Sequence, residues 1–163
     1  VSKAFAMTGW RLGYIGAPEW IAKACTKIQG QFTSGASSIS QRAALAAVSA
    51  NSEVVGEMKS AFLERRDFII SQLKSISGVK INQPQGAFYV FPDVSSFFGK
   101  STGDRVIENS DDLCLYLLEE AKVALVTGNA FGSPECVRIS YAAAMDELKE
   151  AMQRISTALN KLD

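Results

Sequence analysis

Two apolar periodicities meet in the middle of this chain, and the point where one replaces the other limits what it can fold into. Val55, Met58, Phe62, Ile69, Leu73 and Ile76 recur at helical spacing, and Gly78 is placed to stop that helix. Immediately afterwards comes "VKINQPQGAFYVFPDV", in which Ala87, Tyr89 and Phe91 alternate against Phe88 and Val90. That two-residue period is the signature of a strand, and the Pro-Gln-Gly step marks a turn between two of them. Pro92 has no N–H to give a ladder, so it is expected to end the strand or to lie at a sheet edge. A long core-facing helix that runs directly into short strands belongs to an α/β or α+β layer, not to a bundle or a barrel.

The rest of the chain extends this reading. "VALVTG" and "CVRISYA" are strand-like and are separated by "NAFGSPE", a loop of turn residues. A helix capped near Ser110 carries Leu113, Leu117 and Ala121 inward. The last helix, opening near Asp146, buries Met145, Leu148, Met152, Ile155, Leu159 and Leu162. "FFGKSTGDR" reads as a surface loop. Towards the N-terminus, "RLGYIGAP" is read as a short strand leading into a helix with Pro18 in its first turn. Trp20, Ala24 and Ile28 share a face of that helix, and Gly30 ends its pattern. "TSGASSISQRAALAAV" starts as a small-residue loop and becomes a helix, with Ser38 and Gln41 spaced as a capping box. The expected architecture is a small mixed sheet with helices on one face, preceded by residues 1–35 as the tail of a different unit.

Composition removes whole classes of function. With 17 basic and 17 acidic residues there is no net charge to attract nucleic acid or an anionic membrane. No apolar run reaches the ~18–20 residues of a spanning helix. Cys25, Cys114 and Cys136 are an odd number without CxxC spacing, which fits reduced thiols in a cytoplasmic protein. The 163 residues contain no histidine, which excludes Ser-His and Cys-His catalysis and most zinc sites; no metal is expected. Chemistry must rest on Lys, Arg, carboxylates, Tyr or a cofactor.

Against that background "VSKAFAMTGWRLGY" stands out. Lys3 lies among small and apolar neighbours; on a buried strand end its ammonium form would be disfavoured, and a free amine attacks carbonyls. Most single lysines are simply solvated. Arg11 follows eight residues later, beyond a Thr-Gly step that can fold the chain back, and its fork of donors matches phosphate oxygens. An aldehyde that carries a phosphate suits both residues, and pyridoxal 5′-phosphate is such a molecule.

These residues resemble the cofactor-attachment segment of the class I/II, fold type I aminotransferases, typified by aspartate aminotransferase. The resemblance runs on through "PQGAFYVFPDV" and "VALVTGNAFGSPECVRISYA" in the expected order. It implies that Lys3 attaches pyridoxal phosphate and moves the substrate proton as base and acid, with Arg11 on the phosphate. Ser2 matches the serine before the lysine and is counted with the cofactor-binding residues. Arg138 falls on the arginine that grips the substrate α-carboxylate; alternation along "CVRISYA" sets it opposite Val137 and Ile139. An arginine on an ordinary solvent face is the plain alternative.

The resemblance also implies substrates (an amino acid and a 2-oxo acid), a homodimeric parent enzyme, and Thr33 to Ser38 near the partner's site. Residues 1–35 would be the tail of the large cofactor domain, with its terminal strands, and residues 36–163 the small domain with its connecting long helices. The large-domain contacts to the cofactor would precede Lys3, so the chain by itself is expected to be inactive. Apolar faces near Trp10, Trp20 and Phe32 would then lie exposed. Two departures bear on specificity. Gln29 stands where one aspartate aminotransferase subgroup has an arginine for the distal carboxylate, and "TGN" replaces a more frequent "PG" at Gly128. Aspartate, another dicarboxylic amino acid or an aromatic one all stay open as substrates. So do a lyase or synthase of the same fold type and a non-catalytic packing or dimerisation domain.

Overall fold

The period change at Gly78 is also where helix gives way to sheet in the structure, a computed structural model that describes residues 1–163. The chain divides into two units, Val1–Met58 and Lys59–Asp163. The first contains α1 (Glu19–Phe32) and α2 (Ser38–Ser49), with a short 3₁₀ turn at Thr8–Trp10. Helix α3 (Gly56–Ser75) begins just before the division. The second unit continues with β1 (Tyr89–Val90), the hairpin β2 (Ser101–Thr102) and β3 (Arg105–Val106), α4 (Ser110–Tyr116), β4 (Val126–Thr127), β5 (Val137–Ser140) and α5 (Met145–Leu159).

In the first unit the short strand expected to end at Gly16 is not formed, and this unit has no strand at all for it to pair with. Helix α1 runs past Gly30 to Phe32 and gives way where Ser34 takes a left-handed φ of 64°. The capping box on Ser38 is not formed either. Ser37 is the N-cap residue, and the Gln41 amide reaches back to the carbonyl of Ala36 at 2.8 Å. Met7 and Ala44 are buried, and the Ser40 hydroxyl ties α2 to the Thr8–Trp10 turn by donating to the Trp10 carbonyl at 2.8 Å. The expected apolar exposure is present, with Trp20 73% and Phe32 82% accessible. No residue of α1 is buried.

The second unit holds the core. The first residue of the helical stripe, Val55, lies before α3, at the end of a 3₁₀ turn (Ser52–Val55) capped by Asn51, whose side chain accepts from the Glu53 N–H. Only the later part of the stripe, Ile69, Leu73 and Ile76, is fully inward. The helix ends at Ser75, and Gly78 then turns the chain with a φ of 89°; a Cβ there would stand 2.3 Å from Ser96 Oγ. The sheet is antiparallel in the order β1-β5-β4, with Tyr89 opposite Ser140, Val90 opposite Ile139 and Val126 opposite Arg138. One face, Val90, Val137 and Ile139, packs into a core with Leu73, Leu113, Leu117, Met152 and Ile155. Burying side chains of this size contributes about 1.5–3 kcal/mol each before entropy is counted.

Two expectations about strands are modified. The first arm of the expected hairpin is reduced to one bridge, in which Lys80 and Asp93 exchange both backbone hydrogen bonds, at 3.1 and 2.9 Å. Pro92 behaves as its chemistry requires: β1 has already ended, and the proline offers only its carbonyl, to the Val137 N–H at 3.1 Å. "FFGKSTGDR" is not a bare loop, because Gly103 turns β2 back onto β3.

Asp93 gives this region a pH signature. Its carboxylate accepts from the Ser95 hydroxyl at 2.6 Å and the Ser95 N–H at 2.9 Å, with Lys80 Nζ at 3.4 Å. The Ser95 bonds, the hydroxyl first, hold its pKa below the ordinary 3.8. A depressed carboxylate contributes stability above its ordinary pKa and loses it as the pH falls through the folded value. Asp93→Asn keeps an acceptor but loses the charge, and is expected to cost about 1 kcal/mol at neutral pH. Urea unfolding of both proteins at pH 7 and pH 3 checks this, with the difference shrinking at the lower pH.

Candidate functional site

The segment that carries Lys3 is folded by its own backbone. The Phe5 N–H bonds the Val1 carbonyl and the Ala6 N–H bonds the Lys3 carbonyl, both at 3.2 Å, and Ala6 takes a left-handed φ of 52°. Lys3 therefore sits in a turn, exposed, and not on the buried strand end from which an activated amine was expected. The chain reversal before Arg11 is present. The Thr8 hydroxyl donates to the Ser2 carbonyl at 3.0 Å, and Arg11 Nη1 donates to the Thr8 carbonyl at 3.1 Å. Ser2, next to Lys3, is thus linked through Thr8 to the guanidinium of Arg11. That guanidinium keeps further donors and lines an open groove of about 630 Å³ with Trp10, Gln29, Thr33 and Ser37. Within it the Gln29 amide donates to the Thr33 hydroxyl.

Primary amine, guanidinium and hydroxyl, on one hydrogen-bonded segment, are the donor set that an aldehyde bearing a phosphate needs. By that chemistry the residues present fit pyridoxal phosphate.

In the second unit Arg138 occupies the central strand, and alternation along β5 turns it away from the core that Val137 and Ile139 enter. Tyr89 is directly opposite Ser140, so it shares that outer face and lies diagonal to Arg138, within reach of a long side chain. Its ring centroid is 4.5 Å from the guanidinium carbon. From the other flank of β5, the turn after β4 brings the Phe131 ring to 4.7 Å. Phe91 meets Phe131 edge-on, with centroids 5.9 Å apart and planes at 90°. Arg138 makes no ion pair and donates no hydrogen bond to the protein. With the rings beside it and no protein acceptor on it, its N–H groups are the available contact for an anion.

The turn that delivers Phe131 is tightly fixed. The Gly128 N–H bonds the Cys136 carbonyl at 2.8 Å, and the Ser133 N–H bonds the Gly128 carbonyl at 3.1 Å. Thr127 Oγ1 accepts from the Asn129 N–H and pairs with the buried Ser110 hydroxyl at 2.8 Å, while the Asn129 amide donates to Asp111 at the start of α4. The unusual "TGN" thus anchors this turn to α4. Below it, Tyr141 is buried and donates to the Ala87 carbonyl at 3.0 Å, locking the "SYA" and "GAFY" segments together.

Residues 1–155 match the model of the family described as aminotransferase class I and II. This chain is a class I/II aminotransferase sequence. It is 56% identical to the bifunctional aspartate aminotransferase and glutamate/aspartate-prephenate aminotransferase of Petunia hybrida, over 97% of this chain and 34% of that one. It is 45% identical to the aspartate aminotransferase of Rhizobium meliloti strain 1021, over 99% of this chain and 40% of that one. The crystal structure of the aspartate aminotransferase from Rhizobium meliloti superposes with a TM-score of 0.94 at 44% identity, covering 99% of this chain and 41% of that one. The aromatic aminotransferase of Pyrococcus horikoshii OT3 gives 0.86 at 36% identity, over 98% and 41%. The chain spans about two fifths or less of the length of these relatives. The family depends on pyridoxal phosphate, in agreement with the donor set at the N-terminus.

Tyr89, Phe131 and Asn129 are the residues that motif reading passes over. Alternation could place Tyr89 on the outer face, but only the β1–β5 register puts it beside Arg138. Gly128 is the most easily tested support of the turn that carries Phe131. A Cβ there would stand 2.0 Å from the Ser133 carbonyl oxygen and 2.4 Å from that of Cys136. Gly128→Ala is expected to destabilise the fold by about 3 kcal/mol or more, since both obstacles are backbone. Thermal unfolding of the variant against the parent sequence measures it.

Proposed function

We propose that the protein to which this chain belongs transfers an amino group between an amino acid and a 2-oxo acid with the help of pyridoxal phosphate. The amino acid is aspartate or another dicarboxylic or aromatic one, in keeping with the names of the relatives. In this reading residues 1–35 are the tail of the large cofactor domain and residues 36–163 the small domain. The working protein is a cytoplasmic homodimer, and the chain alone lacks activity.

The observation that carries the reading is the uncommitted edge of Arg138 between two aromatic rings. A planar carboxylate is the natural partner of that edge, because two parallel N–H···O bonds satisfy both groups. Lys3 attaches the cofactor through its amine, with Arg11 and Ser2 on the phosphate. Bound pyridoxal phosphate supplies an electron sink next to the bond to be broken. Lys3 Nζ takes the proton from the substrate Cα and returns one on the other side of the exchange, acting as base and then acid. Arg138 fixes the carboxylate so that the Cα–H bond is correctly oriented for that transfer.

Incubation with pyridoxal phosphate, borohydride reduction and peptide mapping tests the attachment residue. Selective labelling of Lys3, lost in Lys3→Ala, supports the assignment; labelling scattered over surface lysines removes it. In the full-length protein Lys3→Ala is expected to abolish transamination. Arg138→Ala is expected to forfeit about 2 kcal/mol of charge-assisted bonding, roughly thirtyfold in KM for the amino acid, with a smaller effect on kcat. An unchanged KM would mean that another residue holds the carboxylate.

A further inference from the structure

We infer that Tyr89 and Phe131 are specificity-determining positioning residues, which restrict Arg138 to planar carboxylates and reject tetrahedral oxyanions of the same charge. The inference rests on the reading of Arg138 as a carboxylate-binding residue. It goes beyond that reading because it assigns the discrimination to two side chains that never touch the reacting atoms.

The physical argument starts from the distances. Ring centroids 4.5 and 4.7 Å from the guanidinium carbon are in stacking range, and the rings arrive from opposite flanks of β5. Rings at these distances crowd the guanidinium from both flanks and leave its N–H groups as the open contact. A carboxylate bound to that N–H edge lies in the guanidinium plane, with no oxygen above or below it. A sulfonate or phosphonate that offers two oxygens to the same edge must project its third out of plane, towards an aromatic face. That face carries the negative end of the ring quadrupole, so it repels an anionic oxygen as well as obstructing it. Recognition of this kind works through rejection of the wrong shape as much as attraction of the right one.

Phe131 is placed by its turn and not by the core. It is 49% exposed, so no core packing holds it in place. Its placement comes from the Gly128 turn, from Asn129 on Asp111, and from the edge-on contact with Phe91. That exposure also makes Phe131 suitable for substitution, because its removal opens no cavity in the core.

The test uses the 163-residue chain labelled with ¹⁵N, following the Arg138 Nε–Hε resonance, which is assigned by its loss in Arg138→Lys. Propionate and ethanesulfonate serve as the probes, since both are monoanions and differ mainly in the geometry of the head group. Propionate is expected to bind with a Kd about tenfold lower than ethanesulfonate. Phe131→Ala should reduce that ratio at least about threefold, and Phe131→Tyr, which keeps a ring, should restore it. A ratio unchanged in Phe131→Ala, in a variant whose remaining spectrum stays native, overturns the role of the ring. So does equal binding of the two anions by the unsubstituted chain. If neither anion moves the Arg138 resonance, the carboxylate reading itself fails and this inference falls with it. Propionate binding without discrimination removes the inference alone.

Discussion

The second unit depends on the two-residue alternation of β5. As the central strand, β5 pairs on both sides, so its register is fixed twice, and a slip of one residue would exchange its two faces. In the observed register Val137 and Ile139 complete the core under α3, α4 and α5, and Arg138 is consequently turned outward. The fold's main apolar contact and its most chemically specific side chain are therefore consequences of one constraint. Burial of Val137 and Ile139 against the helices makes the inward face obligatory, and the arginine inherits the other face at no separate cost in stability.

What could be read from sequence followed how local each feature is. The later part of the stripe over α3, the inward residues Leu113 of α4 and Leu148, Met152, Ile155 and Leu159 of α5, and the strand character of "CVRISYA" depend on side-chain period, and the structure places these where the period puts them. The features that differ depend on partners a sequence does not display. The segment ending at Gly16 has strand-like composition but no strand to pair with, and "VKIN" is reduced to the single Lys80–Asp93 bridge. The capping box on Ser38 loses to a competing acceptor, the Ala36 carbonyl. Arg11 in the first unit and Arg138 in the second are singled out by their motifs. Tyr89 and Phe131 are not, because a cation between two rings is visible only once the strand order β1-β5-β4 is known.

The first unit contrasts with the second in how it is held. Its N-terminal segment is organised by backbone and hydroxyl bonds over short sequence distances, such as Thr8 to Ser2 and Arg11 to Thr8. Helix α1 contributes no buried residue, although Trp20, Ile28 and Phe32 are large and apolar. A helix this exposed draws little stability from packing, and propensity alone supports a 14-residue helix only marginally. The turn that positions Lys3 thus belongs to the less firmly held part of the chain, while Arg138 belongs to its packed core unit.

Two arginines of that core unit differ in what their donors meet. Arg66 has 17% of its side chain exposed and directs its donors to Asp67, at 2.7 and 2.9 Å, and to the Pro84 carbonyl, at 3.2 Å. Its charge is neutralised and its hydrogen bonds are made within the fold, so it fastens α3 to the loop before β1. Arg138 is also partly buried, yet its neighbours are rings. The rings favour the cation, but they accept nothing from its N–H groups. The N–H groups of Arg138 are not buried and stay open to solvent, so they are the contact an incoming carboxylate would meet. In the proposed reading the second unit offers an anion this one position, and the same rings decide which shape of anion it accepts.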